Sequence, residues 1–235
     1  MTAVDFENAS LLSLTELLTG DDPHHQADAA CTLGDRLRGG ELEVLPKACL
    51  EGLVHLVQGA PFTVQLEAAI TLSELQDARG TPVLVDALAH RTFRLDAIRA
   101  LGIMGDLSAI ASLQFWMNRR WAAWADRLQA AAALCMLKDQ SAARYLQERL
   151  SSRKQAERAA AIHFVGESRH PEALSLLLQI TENTGDPLRD VAARSLGILC
   201  NPAAAAPLER LLPQTTGELN SDIQETLASL AASLP

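Results

Sequence analysis

Six histidines, four cysteines and three tryptophans are the less common side chains through which this 235-residue chain could do chemistry. The histidines are His24, His25, His55, His90, His163 and His170, and no two stand four apart. That spacing is the one that brings two imidazoles onto one helical face as a metal pair. His24 and His25 beside Asp21 and Asp22 could hold a metal, but a solvated helix start accounts for the same four residues. His163, between Ile162 and Phe164, reads as a packed or groove-facing histidine. Cys31, Cys49, Cys135 and Cys200 lie far apart without metal spacing, each in an apolar helical stretch, which implies buried, reduced thiols. There is no nucleophile elbow, no phosphate-cradling glycine loop and no Cys-His nucleophile arrangement. The chain therefore reads as a non-enzyme with no metal and no cofactor.

The stronger signal is for binding. Residues 115–127 hold Trp116, Trp121 and Trp124 together with Arg119, Arg120 and Arg127. Tryptophan and arginine are the side chains most enriched in interface hot spots. Trp121 and Trp124, three apart, are expected side by side on one helical face. Two readings stand: an exposed aromatic–arginine contact patch, or rings that fill gaps between small-residue helices. Charge is also uneven. Residues 1–90 carry 4 basic and 14 acidic side chains, residues 91–169 carry 13 and 7, and residues 170–235 carry 3 and 8. A basic middle between acidic ends would select an acidic partner, with Arg94 and Arg99 joining the tryptophan segment, although a solvated mixture of charges fits the same counts. The net charge of −9 weighs against general adsorption to nucleic acid or an anionic membrane.

The elements that must position these residues follow from composition. Hydrophobic residues make up 48% of the chain but aromatic ones only 4%, so alanine and leucine supply the apolar share. Thirteen glycines and ten prolines are too few for an all-β chain dense in turns, which leaves an all-helical protein. No apolar run approaches the ~18 residues that span a bilayer. The first basic residue is Arg36, and Asp5 and Glu7 precede it, so no secretory signal is expected and the reading is cytoplasmic.

A repeating frame organises the helices. Leucine or valine anchors at Leu33, Leu72, Leu101, Leu134, Val165 and Leu196, with a degenerate seventh at Leu227, are spaced 39, 29, 33, 31, 31 and 31 residues apart. Four residues before the first six anchors stand Ala29, Ala68, Ala97, Ala130, Ala161 and Ala192. One residue after them stand Gly34, Ser73, Gly102, Cys135, Gly166 and Gly197. Small residues on one helical face let neighbouring helices approach closely, and each such stripe needs the next repeat to cover it. First helices open at Thr81-Pro82, His170-Pro171 and Asn201-Pro202, with Asp106 and Asp139 as further caps. The period suits one antiparallel helix pair per unit. Asp28, Glu67 and Asp96 share the place five before their anchors, about ten ångströms apart, and read as a solvated strip with no mutual chemistry.

Residues 188–197, Leu-Arg-Asp-Val-Ala-Ala-Arg-Ser-Leu-Gly, and residues 93–102, Phe-Arg-Leu-Asp-Ala-Ile-Arg-Ala-Leu-Gly, resemble the second helix of HEAT repeats. More closely, they are similar to the short bacterial HEAT-like class also found in phycobilin lyases. The resemblance implies an all-α fold, a single right-handed α-solenoid of six to seven antiparallel helix pairs over 1–235. Its repeats fall at 9–38, 43–77, 81–105, 107–138, 140–167, 170–200 and 202–233. It also implies a concave surface lined by second helices that grips another protein. The chain lacks the His-Glu pairs of deoxyhypusine hydroxylases, HEAT-like enzymes with an iron site. Trp121, Trp124 and Asp126 among Arg119, Arg120 and Arg127 resemble the nucleic-acid surface of HEAT-like alkylpurine DNA glycosylases, and the lyase likeness suggests bilin handling; these are the alternatives.

Seven residues before the anchors stand Gln26, Gln65, Arg94, Arg127, Arg158 and Arg189. The favoured reading of this column is structural, each arginine bridging to an acid on a neighbouring repeat such as Asp126, Glu157 or Asp186; the other is an anion-gripping row. Together these features predict a non-catalytic bacterial-type scaffold or adaptor that holds an acidic protein partner along repeats three to five. Arg94, Arg99, Arg119, Arg120, Trp121, Trp124 and Arg127 are the expected contacts.

Overall fold

The computed structural model describes residues 6, 8–168 and 170–232. Asp5 and Glu7 lie outside the described residues, as does residue 233 at the end of the seventh expected repeat. The elements are all helical. They divide into two compact units, Met1–Ser112 and Leu113–Pro235.

The first unit contains α1 (Leu11–Thr19), α2 (Pro23–Arg38), α3 (Lys47–Gly59), α4 (Phe62–Glu74), α5 (Thr81–Ala87) and α6 (Arg94–Met104). Helix α7 (Ile110–Asn118) begins just before the boundary. The second unit continues with α8 (Trp124–Met136), α9 (Gln140–Arg149), α10 (Gln155–Glu167), α11 (Ala173–Glu182), α12 (Arg189–Leu199), α13 (Ala205–Leu211) and α14 (Glu218–Ala232). Second helices stack on one another, α2 on α4 and α4 on α6 in the first unit, α8 on α10, α10 on α12 and α12 on α14 in the second. This is the α-solenoid of helix pairs that the repeat predicts.

The frame explains the stacking. All six column alanines are completely buried, as are the first six anchors apart from a trace of Val165, while Leu227 is half-buried. The glycines after three of the anchors, Gly34, Gly166 and Gly197, meet the residue before the anchor of the next repeat. A Cβ on Gly34 would stand 2.9 Å from Thr71 Oγ1, on Gly166 2.6 Å from the Ser195 carbonyl oxygen, and on Gly197 3.3 Å from Thr226 Oγ1. Thr71 donates its hydroxyl to the Ala30 carbonyl at 2.7 Å, and Thr226 donates to the Ala193 carbonyl at 3.0 Å. Both threonines stand one before an anchor, so Leu227 marks a seventh copy in register.

Most helix starts fall as the sequence implies. Asp106, Asp139 and Asn201 accept from Ser108 N, Ser141 N and Ala203 N at 2.9, 2.9 and 3.0 Å. His170 Nδ1 accepts from Glu172 N at 3.2 Å. Thr81 differs: it lies inside α5 and is buried, because Asp77 caps a 3-10 turn over Ala78–Gly80 that leads into the helix. The cysteines are a partial correction. Cys49 and Cys135 are buried, whereas Cys31 and Cys200 are exposed, Cys200 because it ends α12 in the left-handed region with φ 51°. Burial pushes the Cys135 thiol up to about 12. No helix among the described residues is long and apolar enough to cross a membrane.

Candidate protein-binding site

The arginine column is a set of helix caps. Arg94 Nε donates to the Leu88 carbonyl at 2.8 Å, Arg127 Nε to Met117 at 2.9 Å, Arg158 Nε to Leu150 at 2.7 Å and Arg189 Nε to Thr181 at 2.7 Å. Gln26 Nε2 does the same for Gly20 at 2.6 Å. Every acceptor lies at the C-terminal end of the first helix in the same repeat, where carbonyls lack intrahelical donors and the helix dipole favours a cation. The column is therefore structural, as favoured, but its common bond stays within the repeat. Arg158 also makes a link between repeats, its terminal nitrogens gripping both oxygens of Asp186. Glu157 goes elsewhere: it accepts from Ser152 Oγ at 3.2 Å and lies 3.7 Å from Arg149 Nε.

The three tryptophans sort into different environments. Trp116, in α7, is buried. Trp121 lies in the turn before α8 and is 94% exposed; Trp124 opens α8 and is 44% exposed. The expectation that Trp121 and Trp124 share a helical face fails, because the helix starts at Trp124 and the spacing rule holds only inside a helix. One ring fills the interior and two reach solvent. Arg119 and Arg120 are exposed in the turn. The Arg119 guanidinium stands 5.3 Å from the centre of the exposed Phe115 ring and 5.0 Å from that of Trp116, a double cation–π contact that holds the charge at the surface. Arg127 is half-buried; beyond capping α7 it stacks over Tyr145 at 5.2 Å, and Arg149 stacks over the same ring at 4.7 Å. Asp126, one of the residues behind the glycosylase likeness, is buried.

Arg94 and Arg99 belong to the first unit. Arg94 is half-buried as a cap, and Arg99 is exposed on the rim of a groove of about 230 Å³ over α2, α4 and α6. Asp35, Arg38, Glu67, Glu74 and Asp96 also line that groove. Arg38 bonds Glu74 and Asp35, each at 3.0 Å. Burial, then Asp96, Asp35 and Asp28, push the Glu67 carboxyl above the usual carboxylate range, with Arg38 opposing. In the column expected to be a solvated strip, Asp28 and Asp96 are exposed and Glu67 is half-buried. Phe115, Tyr145 and Arg149 are the neighbours that sequence reasoning missed; the four-residue spacing of Tyr145 and Arg149 on α9 was the available signal.

His25 pairs with Asp22 at 3.5 Å, and Asp22 caps His24 N at 2.9 Å, so this cluster is a helix start. Among the described residues no group of three or more His, Cys, Asp or Glu side chains could hold a metal ion.

The sequence model of HEAT repeats matches residues 119–196 and 150–228. No curated protein is a significant match. Among solved structures, the complex of CpcE and CpcF of phycocyanin lyase from Nostoc sp. PCC7120 is similar at TM-score 0.56 and 18% identity, covering 98% of each chain. Human deoxyhypusine hydroxylase in complex with glycerol aligns at TM-score 0.41 and 18% identity over 97% of this chain and 98% of that one. The HEAT-repeat match is confined to two overlapping stretches of the second unit, and along nearly its whole length the chain has the fold of a HEAT-like α-solenoid.

Proposed function

We propose that this chain is a non-catalytic scaffold or adaptor that holds an acidic segment of a protein partner through the second unit, at the turn between α7 and α8. The observation that carries this reading is Trp121, a large ring left 94% exposed between the cation Arg120 and the helix start at Trp124. An exposed aromatic side chain beside arginines is the composition of an interface anchor. Arg119, already fixed on Phe115 and Trp116, loses little side-chain freedom when a carboxylate binds it. Arg127 acts as a positioning residue through its cap on α7, whereas Arg94 caps α5 in the first unit. HEAT repeats generally serve protein interactions, which agrees with this role, and a cytoplasmic setting follows from the reading.

The test is a pull-down from the source organism with the wild-type chain and with the double variant Arg119→Glu, Arg120→Glu. The variant is expected to keep its helical circular dichroism and melting temperature and to lose the specifically retained protein. Retention of the same protein by both chains would remove the site from this turn.

A further inference from the structure

We infer that the acidic segment lies along the edge of the second unit formed by two successive turns, 119–123 and 150–154, and not in the groove of the second helices. This inference rests on the protein-binding reading above and fixes which residues hold the partner.

The two turns are neighbours through a continuous run of contacts. Arg127 and Arg149 both stand over the Tyr145 ring, at 5.2 and 4.7 Å; Arg149 Nε lies 3.7 Å from Glu157, and Glu157 accepts from Ser152 in the second turn at 3.2 Å. Arg153 and Lys154 are exposed in that turn, as Arg119 and Arg120 are in the first. No ion pair among the described residues engages any of the four. Their positive charge is not offset locally.

The exposed faces of the second helices are different. His163 on α10 lies 3.4 Å from Glu167, and Arg194 on α12 reaches Asp190 at 3.0 Å and Asp222 at 2.9 Å. An arginine already matched to two carboxylates gives an incoming acidic chain no net attraction. The third turn ends the basic edge: residues 183–188 contain no lysine or arginine, and Asp186 is held by Arg158. The edge is thus one helix-pair spacing wide, about ten ångströms, which matches about three residues of extended chain. That length suits a short run of aspartate or glutamate with an apolar side chain against Trp121. A polynucleotide would have to continue its phosphates past Asp186 and Glu182, so the acidic peptide is the better occupant.

The experiment measures anisotropy of a fluorescein-labelled glutamate-rich peptide containing one leucine, against the full chain at low salt, with a single-stranded oligonucleotide in parallel. Binding of the peptide is expected to weaken with added salt. It is also expected to fall about tenfold in the double variant Arg153→Glu, Lys154→Glu and by less than about twofold in Arg194→Gln. Equal binding by wild type and the Arg153, Lys154 variant, or loss confined to Arg194→Gln, would overturn the edge while leaving the protein-binding reading to the pull-down. Absence of peptide binding, or binding of the oligonucleotide alone, would also overturn it.

Discussion

Arg158 joins two turns at once: its Nε donates to the Leu150 carbonyl at 2.7 Å while its terminal nitrogens grip the Asp186 carboxylate, Nη1 at 2.8 Å. The guanidinium of Arg158, opposed by burial and helped by Leu188 N, holds the Asp186 carboxyl below the usual range. A depressed folded value means the ionised pair stabilises the fold above the unfolded value near 4, and this stabilisation is lost as pH falls through the folded value. Asp186→Asn should therefore cost about 2 kcal/mol at neutral pH, and the gap to wild type should close below about pH 4. Urea unfolding at both pH values checks it; a gap that persists in acid would assign the cost to packing.

The glycines that follow the anchors should differ in what they tolerate. Gly166→Ala forces a methyl toward the Ser195 backbone, 2.6 Å from an oxygen that cannot turn aside, and should cost about 2 kcal/mol by separating α10 from α12. Gly34→Ala meets the Thr71 hydroxyl at 2.9 Å and should cost less, since a side-chain atom can move. Gly197→Ala meets Thr226 at 3.3 Å, and the helix-propensity gain of about 1 kcal/mol offsets that contact, leaving stability close to wild type. Thermal melts of the three variants should fall in this order.

The tryptophans should separate stability from binding. Trp116→Ala empties a buried site and should destabilise the fold by about 3 kcal/mol. Trp121→Ala removes an exposed ring and should leave the melting temperature unchanged while weakening capture of the partner. In wild type, acrylamide should quench much of the fluorescence readily, and the quenchable fraction should fall in the Trp121 variant. A Trp121→Ala chain that melts early would identify that ring as packing.

Glu67 should show the opposite pH behaviour to Asp186. Burial and its acidic neighbours raise its folded value, so the ionised form opposes folding and protonation relieves it. Glu67→Gln should stabilise at neutral pH by about 0.5 kcal/mol after solvent screening, and the gain should vanish as pH falls below the raised folded value toward the unfolded one. A loss of stability at pH 7 would mean that the carboxylate is needed by a partner not counted among Asp96, Asp35 and Arg38.

Much of the fold was legible because close helix packing leaves few choices of side chain. Ala29 through Ala192 are buried without remainder, and a larger residue at any of them would push neighbouring helices away from each other. The arginine column was visible, but its shared bond was not: backbone carbonyls carry no letter, so an acid was the natural partner to seek, and Asp186 is one such partner, of Arg158. The tryptophan segment failed at one residue. Nothing in residues 119–124 sets the first helical turn apart, and the placement of Trp121 outside α8 decides which rings face water. Tyr145 was missed because its role depends on α8 and α9 meeting.

The Nε caps bear on how such a chain can change length over evolution. Each capping arginine donates its Nε within the hairpin that encodes it, so duplicating or excising a whole hairpin leaves these caps intact. The bonds from Arg158 to Asp186, from Arg38 to Glu74 and from Arg194 to Asp222 run between hairpins: inserting a copy between the members of such a pair would leave both to find new counterparts. Those junctions are where growth by tandem copying should be least tolerated.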